Sequence, residues 1–279
     1  MFRGFYTAAS GMIAQQRRTE MLTNNMANMN TPGFKAEQSS IRSFPEMFMS
    51  SVQKNHIPTE KGLNLKGLMP HGPISTGVYM QETLPSFMQG QLQQTELMTD
   101  IALVDLNLPV NEETGATSAI FYRLDDGNGG EVYTRNGNFT IDQDGYLTNP
   151  SGLYVLGSNG QRIQIQNEEF HVTETGVILE NGAEIATISI AFADNPARLI
   201  KQGEGLFVTE DGENLVEANT VQGIAYGMQQ GFIERSNVDA GRTMTEMLTA
   251  YRAFEANQKV LQAYDRSMEK AVTEIGRLS

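Results

Sequence analysis

The sequence predicts an α+β protein: a central antiparallel all-β domain, sandwich- or barrel-like, bracketed by N- and C-terminal helices paired as a coiled coil. Three observations predict it. Apolar residues recur at alternating three- and four-residue intervals at both ends of the chain, the seam of a coiled coil with a period near 3.5. In between, short stretches alternate apolar and polar side chains, the period of a half-buried strand. Turn dipeptides punctuate that middle at near-regular intervals: Asp126-Gly127, Asn136-Gly137, Asp144-Gly145, Asn159-Gly160, Asn181-Gly182 and Asp211-Gly212.

Residues 1–35 read as the first helix. Its seam runs through Phe5, Ala8 and Met12, breaks at Gln15 and Thr19, and resumes at Leu22, Met26 and Met29. It should end near Asn30-Thr31-Pro32-Gly33, because proline disfavours helix at the residue before it. Residues 36–75, with Pro45, Pro58, Pro70 and Pro73 and little periodicity, read as an extended connection. Residues 76–230 form the β domain. There Arg162–Gln166 and Thr187–Phe192 each place Ile or Phe on one face, and a short helix is capped by Asn195, opened by Pro196 and stopped near Gly203. In residues 231–279 the seam passes through Met244, Met247, Tyr251, Phe254, Gln258, Leu261, Asp265, Met268, Val272 and Ile275. With Asp239 as N-cap, about 36 helical residues would reach roughly 54 Å.

A chain of 279 residues is long enough to bury a core. Its lack of cysteine removes disulfides, thiolate metal sites and a cysteine nucleophile. Twenty basic against 33 acidic residues give a net charge of -13, which disfavours binding to nucleic acid or anionic lipid. Charge is segregated: residues 1–42 carry +3, residues 43–230 carry -16 and residues 231–279 are neutral. No run of 18 apolar residues predicts membrane insertion, and the N-terminus lacks the apolar core of a cleaved signal.

Catalytic and ligand chemistry finds little support. His56, His71 and His171 have no ligand-spaced partners, and Asp142-Gln143-Asp144-Gly145 fits a turn better than a calcium loop, whose closing Glu is missing. Phosphate-loop, dinucleotide, zinc-protease and serine-elbow strings are absent. The acidic pairs of the middle segment read as solvated surface. No catalytic residue, cofactor or metal is expected.

The architecture itself points to association. One helix pair buries one stripe, so the flanking Ile13, Met21, Leu248, Val260 and Tyr264 stay exposed unless further copies cover them. The ends also carry a resemblance. Tyr6-Thr7-Ala8-Ala9-Ser10-Gly11-Met12, with Asn24-Asn25-Met26-Ala27-Asn28-Met29-Asn30-Thr31-Pro32-Gly33-Phe34-Lys35, resembles the N-terminal signature of bacterial flagellar rod and hook proteins. Ser236-Asn237-Val238-Asp239 and Tyr251-Arg252-Ala253-Phe254-Glu255-Ala256-Asn257-Gln258 resemble the C-terminal one. Tyr133-Thr134-Arg135-Asn136-Gly137-Asn138-Phe139 is similar to the family's central β motif, and the length suits the distal-rod kind.

The resemblance implies a structural rod subunit of the flagellar basal body, exported through the flagellar type III apparatus without a cleaved signal peptide. Such a subunit polymerises helically through its terminal helices into the axle that carries torque from motor to hook. Its partners would be sister copies, other rod proteins and the hook. The subunit-packing residues would be Phe5, Met12, Leu22, Met26, Met29, Met244, Met247, Tyr251, Phe254, Leu261, Met268, Val272 and Ile275. Motif residues carried over by the resemblance are Asn24, Asn25, Asn28, Thr31, Gly33, Phe34, Ser236, Asn237, Val238 and Asp239. The alternative is a secreted, oligomeric β protein that binds or cleaves glycans, for which a cleft of carboxylates and aromatics in the β domain would speak.

Overall fold

The computed structural model of the chain describes residues 2–57, 63–111, 115, 117–127, 129–167 and 169–275. Pro58 and the side chains of His56, His71 and Ile275 lie outside what is described. The chain divides into two compact units: residues 1–23, 39–83 and 241–279 form one, residues 24–38 and 84–240 the other. Two α-helices and a mainly antiparallel set of strands make it an α+β protein.

Helix α1 spans Phe2–Ala27 and helix α2 spans Ala240–Ile275. The end of α1 is built by its own polar residues. The Asn28 side chain donates to the Asn24 carbonyl at 2.9 Å, and the Thr31 hydroxyl donates to Asn28 Oδ1 at 3.2 Å. These bonds occupy groups at the helix end, and Pro32 then prevents continuation. Helix α2 starts directly after Asp239 and runs for the expected 36 residues. None of the helices described is long and apolar enough to cross a membrane.

The described residues between 41 and 80 form antiparallel pairs. Ile41–Ser43 runs antiparallel to Val78–Met80, and Met47–Ile57 to Leu63–Ile74. Among the described residues each is a two-stranded ribbon, an arrangement whose edges tolerate proline.

The second unit is organised around the strand Ala119–Asp125. Glu131–Thr134 pairs along one edge; Ile190–Ala193 and Tyr154–Val155 share the other. The sheet they belong to has nine strands. Both faces are covered. Ile120, Tyr122 and Leu124 pack with Phe139, Leu147 and Ile190 on one side, and Ala119 and Phe121 with Tyr133, Ala191 and Phe207 on the other. Phe121 and Phe207 lie 5.6 Å apart, and Tyr122 meets Phe139 edge to face at 4.9 Å.

Two local expectations differ in detail. Ile163 and Ile165 are buried as the alternation predicts, but Arg162 and Gln164 make only isolated bridges and no continuous strand forms. Asn195 caps a helix as expected, its Oδ1 accepting from Ala197 N at 3.2 Å. That helix is a single 3₁₀ turn, Pro196–Arg198, because Leu199–Gly203 leaves it as a strand paired with Leu206–Thr209.

Candidate assembly interface

Within the first unit α1 and α2 touch along a line of small and polar residues. Gly4 faces Tyr264 and Gly11 faces Asn257. Each pair of positions is one heptad apart and the two run in opposite directions, so the helices are antiparallel at this contact. A Cβ on Gly4 would collide with the Tyr264 hydroxyl, and one on Gly11 would lie 3.1 Å from Asn257 Nδ2. Arg18 Nη2 reaches Glu246 Oε2 at 3.4 Å, and Arg242 Nε reaches Oε1 at 2.9 Å. The hydrogen bond from Arg242, with Arg18 beside it, holds the Glu246 carboxyl below its ordinary value.

This line differs from the expected seam by one residue. Asn257 and Tyr264 share their heptad register with Thr243 and Ala250, both buried, and with Ala271. Met244, Tyr251 and Val272, expected in the seam, are 53%, 53% and 74% exposed. The companion positions Met247, Phe254, Leu261 and Met268 are half-buried. The physical reason lies in α1, which presents glycines where it meets α2. The space left by the missing Cβ is filled by the polar tips of Tyr264 and Asn257, which reach across to the two glycines. Met244, Tyr251 and Val272, one residue further along, fall outside this line.

On α1, Leu22 is buried and Phe5, Met12 and Met26 are half-buried, as is Met29 just beyond its end. Of the flanking residues, Ile13, Leu248 and Val260 are exposed as expected. Met21 is buried and Tyr264 is engaged by Gly4, so those two do not belong to an open flank.

The motif residues converge inside the second unit. Asn25 clasps Glu37 by both functions, Nδ2 donating to its carbonyl at 2.8 Å and Oδ1 accepting its N–H at 2.9 Å. Asn237 does the same across the chain: Oδ1 accepts from Ala36 N at 2.7 Å, and Nδ2 donates to the carbonyls of Ser86 and Met88. Ser236 Oγ accepts from Val238 N at 3.3 Å. Gly33 has φ +69°, donates its N–H to the Glu234 carbonyl at 2.8 Å, and sits where a Cβ would lie 2.5 Å from Asn136 N. Only glycine serves there without strain. Phe34 is buried, with Lys201 Nζ 4.2 Å above its ring.

Under these clasps lies a buried ionic knot that sequence reasoning missed. Glu234 Oε1 accepts from Lys35 Nζ and from Gly90 N, both at 2.7 Å, while Oε2 accepts from Arg135 Nε at 2.6 Å. Arg135 continues to Asp105 at 2.7 Å and to the Ile120 carbonyl at 2.9 Å. The three central side chains are at most 2% exposed. Burial opposes the charge on Glu234, but Arg135 and Lys35 outweigh it and hold the carboxyl below its ordinary value. Burial, with Arg135 nearby, lowers Lys35. The clue was Lys35 closing the first motif and Arg135 standing inside the central one. Satisfied so fully, the knot fixes three distant segments against one another. Among the described residues no cluster of His, Asp and Glu is arranged to hold a metal.

Three family models match the chain: "Flagella basal body rod protein" over residues 5–35, "Flagellar hook protein FlgE/F/G D1 domain" over 119–182, and "Flagellar basal body rod FlgEFG protein C-terminal" over 229–274. Among curated relatives, the flagellar hook-basal body complex protein FlhO of Bacillus subtilis is 43% identical across the full length of both chains. The flagellar basal-body rod protein FlgG of Borreliella burgdorferi is 30% identical, over 96% of this chain and 97% of the relative. The FlgG of Bacillus subtilis is 27% identical over 98% of each.

Proposed function

Because the chain belongs to the flagellar basal-body rod protein family and so has a structural role in the basal body, we propose that it polymerises helically through its terminal helices. In this reading α1 and α2 pair as an antiparallel coiled coil, sister copies pack around the pair, and the resulting axle transmits torque to the hook. Export would use the flagellar type III apparatus, and neighbours along the axle would be other rod proteins and the hook. The observation that carries the reading is the exposed apolar line of α2. Met244, Leu248 and Tyr251 follow one another at i, i+4 and i+7 on one face, and they are 53%, 48% and 53% exposed. An exposed apolar cluster on one face of a long helix marks an interaction surface, and an interface repeated without closure builds a filament.

The test is Met244→Glu with Tyr251→Glu. Both sites are exposed, so the purified monomer should keep its melting temperature within about 2 °C, since surface changes usually stay within ±0.5 kcal/mol. Cells carrying the double variant should export it and yet build no rod beyond the point where it adds. Normal basal bodies and motility would refute the assignment of this line to subunit packing.

A further inference from the structure

The central β domain carries a groove of about 620 Å³, within the range of small-ligand sites, ~300–1,000 Å³. It lies beside the hairpin of Ala119–Asp125 and Glu131–Thr134 and the bridged segment around Arg162. Its polar wall is made by Asp125, Glu131, Gln161, Arg162 and Gln164, and its carbon surface by Tyr146 and Leu156. We propose that this groove binds a neutral saccharide chain and does not cleave it. The inference does not depend on polymerisation.

Charge complementarity argues for a neutral ligand. Asp125 is paired with Arg162 at 2.7 Å, and Glu131 with Arg123 through both carboxylate oxygens. Two anions and two cations cancel, in a chain whose net charge is -13. Arg162 is further committed by lying 4.2 Å over the Tyr154 ring, so it is no free anchor for an anion.

Hydrogen-bonding geometry argues for hydroxyl groups. Gln164 donates through Nε2 to the Asp144 carbonyl at 2.9 Å, which pins the amide and leaves Oε1 as an acceptor. Gln161 accepts through Oε1 from Asn159 at 3.3 Å, leaving Nε2 as a donor. A donor and an acceptor thus share one groove with the Tyr146 ring, which Tyr154 buttresses edge-on at 5.7 Å. A pyranose offers the matching set: hydroxyls that both give and take hydrogen bonds, and a face of C–H groups that packs on an aromatic ring.

Cleavage needs one protonated carboxyl facing one ionised carboxylate. Asp125 and Glu131 are cross-strand partners, and each carboxylate is already bound by a guanidinium group. The Gly127 N–H and Arg162 keep Asp125 ionised. Arg123 and the Tyr133 hydroxyl engage Glu131.

The test is calorimetric titration of the full-length monomer with cellotetraose and chitotetraose, with a sulfated tetrasaccharide as the anionic arm and a reducing-end assay run on the same mixtures. Expected are saturable binding of at least one neutral tetrasaccharide, at least tenfold weaker binding of the sulfated one, and no new reducing ends. Tyr146→Ala should lower the affinity tenfold or more. Gln164→Ala, at an exposed side chain that leaves the fold intact, should lower it about fivefold, and Glu210→Gln, outside the groove, should leave it unchanged. No binding of either neutral probe, tighter binding of the sulfated one, or wild-type affinity in a folded Gln164→Ala variant would overturn the proposal. Release of reducing ends would overturn its non-cleaving half.

Discussion

Replacing Glu234 with Gln keeps its shape and removes its charge. Two cations then lose their shared anion. Lys35 keeps only the Met88 carbonyl at 2.9 Å, and Arg135 keeps Asp105 and the Ile120 carbonyl. The new amide NH₂ also turns hydrogen-bond donors toward donors. Removing one partner of a buried ion pair costs about 3–5 kcal/mol, and a unit of about 150–250 residues loses ~2–4 °C of melting temperature per kcal/mol. The expected fall is therefore about 6–20 °C, read by calorimetry on purified monomer. Lys35→Met added to Glu234→Gln should recover part of it, because the uncompensated ammonium is gone. The acid limb gives a second reading. Glu234 titrates lower when folded than its ordinary 4.5, so its stabilisation is full above that value and is lost as pH falls through the lowered one. The wild type should thus lose stability below about pH 4.5 more steeply than Glu234→Gln. A fall under about 2 °C, or equal acid limbs, would show that the knot contributes nothing to stability.

Other perturbations follow from the same geometry. Gly33→Ala, at φ +69° with its new Cβ against the Asn136 backbone, should destabilise by about 2 kcal/mol or more, measured by urea unfolding; a neutral result would mean that this turn adapts freely. In α1 the two contact glycines should behave oppositely. Gly11→Ala meets only the end of the Asn257 amide and gains about 1 kcal/mol of helix propensity, so melting should be unchanged or raised. Gly4→Ala strikes the Tyr264 ring and should lower it; the reverse order would refute the contact line. Burial, reinforced by the charge of Glu131, pushes the Tyr133 phenol up to about 12, and burial pushes Tyr122 up further. A group raised on folding stabilises below its unfolded value, near 10, and that contribution is lost as pH rises through the folded one. Ultraviolet titration of the folded chain should show a late phenolate step near pH 12 that Tyr133→Phe removes; its persistence in the variant would reassign it.

The sequence made some of this legible and hid the rest for identifiable reasons. The length of α2, the Asn-Thr-Pro-Gly stop just beyond α1 and the Asn195 cap follow from local chemistry, which a linear reading sees directly. The strand Ala119–Asp125 escaped notice because covering both faces erases alternation. Its continuous apolar run carries no period to detect. The line of α2 that meets α1 lies one residue from part of the expected seam for a different cause. Periodicity marks where the large apolar side chains are, whereas α1 meets α2 through glycine and so selects the small and polar neighbours Ala250, Asn257 and Tyr264. The knot of Lys35, Arg135 and Glu234 joins residues 99 to 199 positions apart, and a lone charge in a sequence is indistinguishable from surface charge until its partners are placed. The clasping roles of Asn25 and Asn237 were present only as a family resemblance; the hydrogen bonds give them a cause.

The two lines of α2, Thr243-Ala250-Asn257-Tyr264 and Met244-Tyr251-Gln258-Asp265-Val272, stand next to each other in sequence and about 100° apart around the axis. Substitutions can tune either without disturbing the other, but a gain or loss of one residue cannot. Inserting a single amino acid midway would swing every side chain beyond it by that angle, turning Asn257 and Tyr264 away from Gly11 and Gly4 and leaving Ala256 and Ala263 in their places. Helix α2 should accordingly be permissive to changes of letter and intolerant of changes of length.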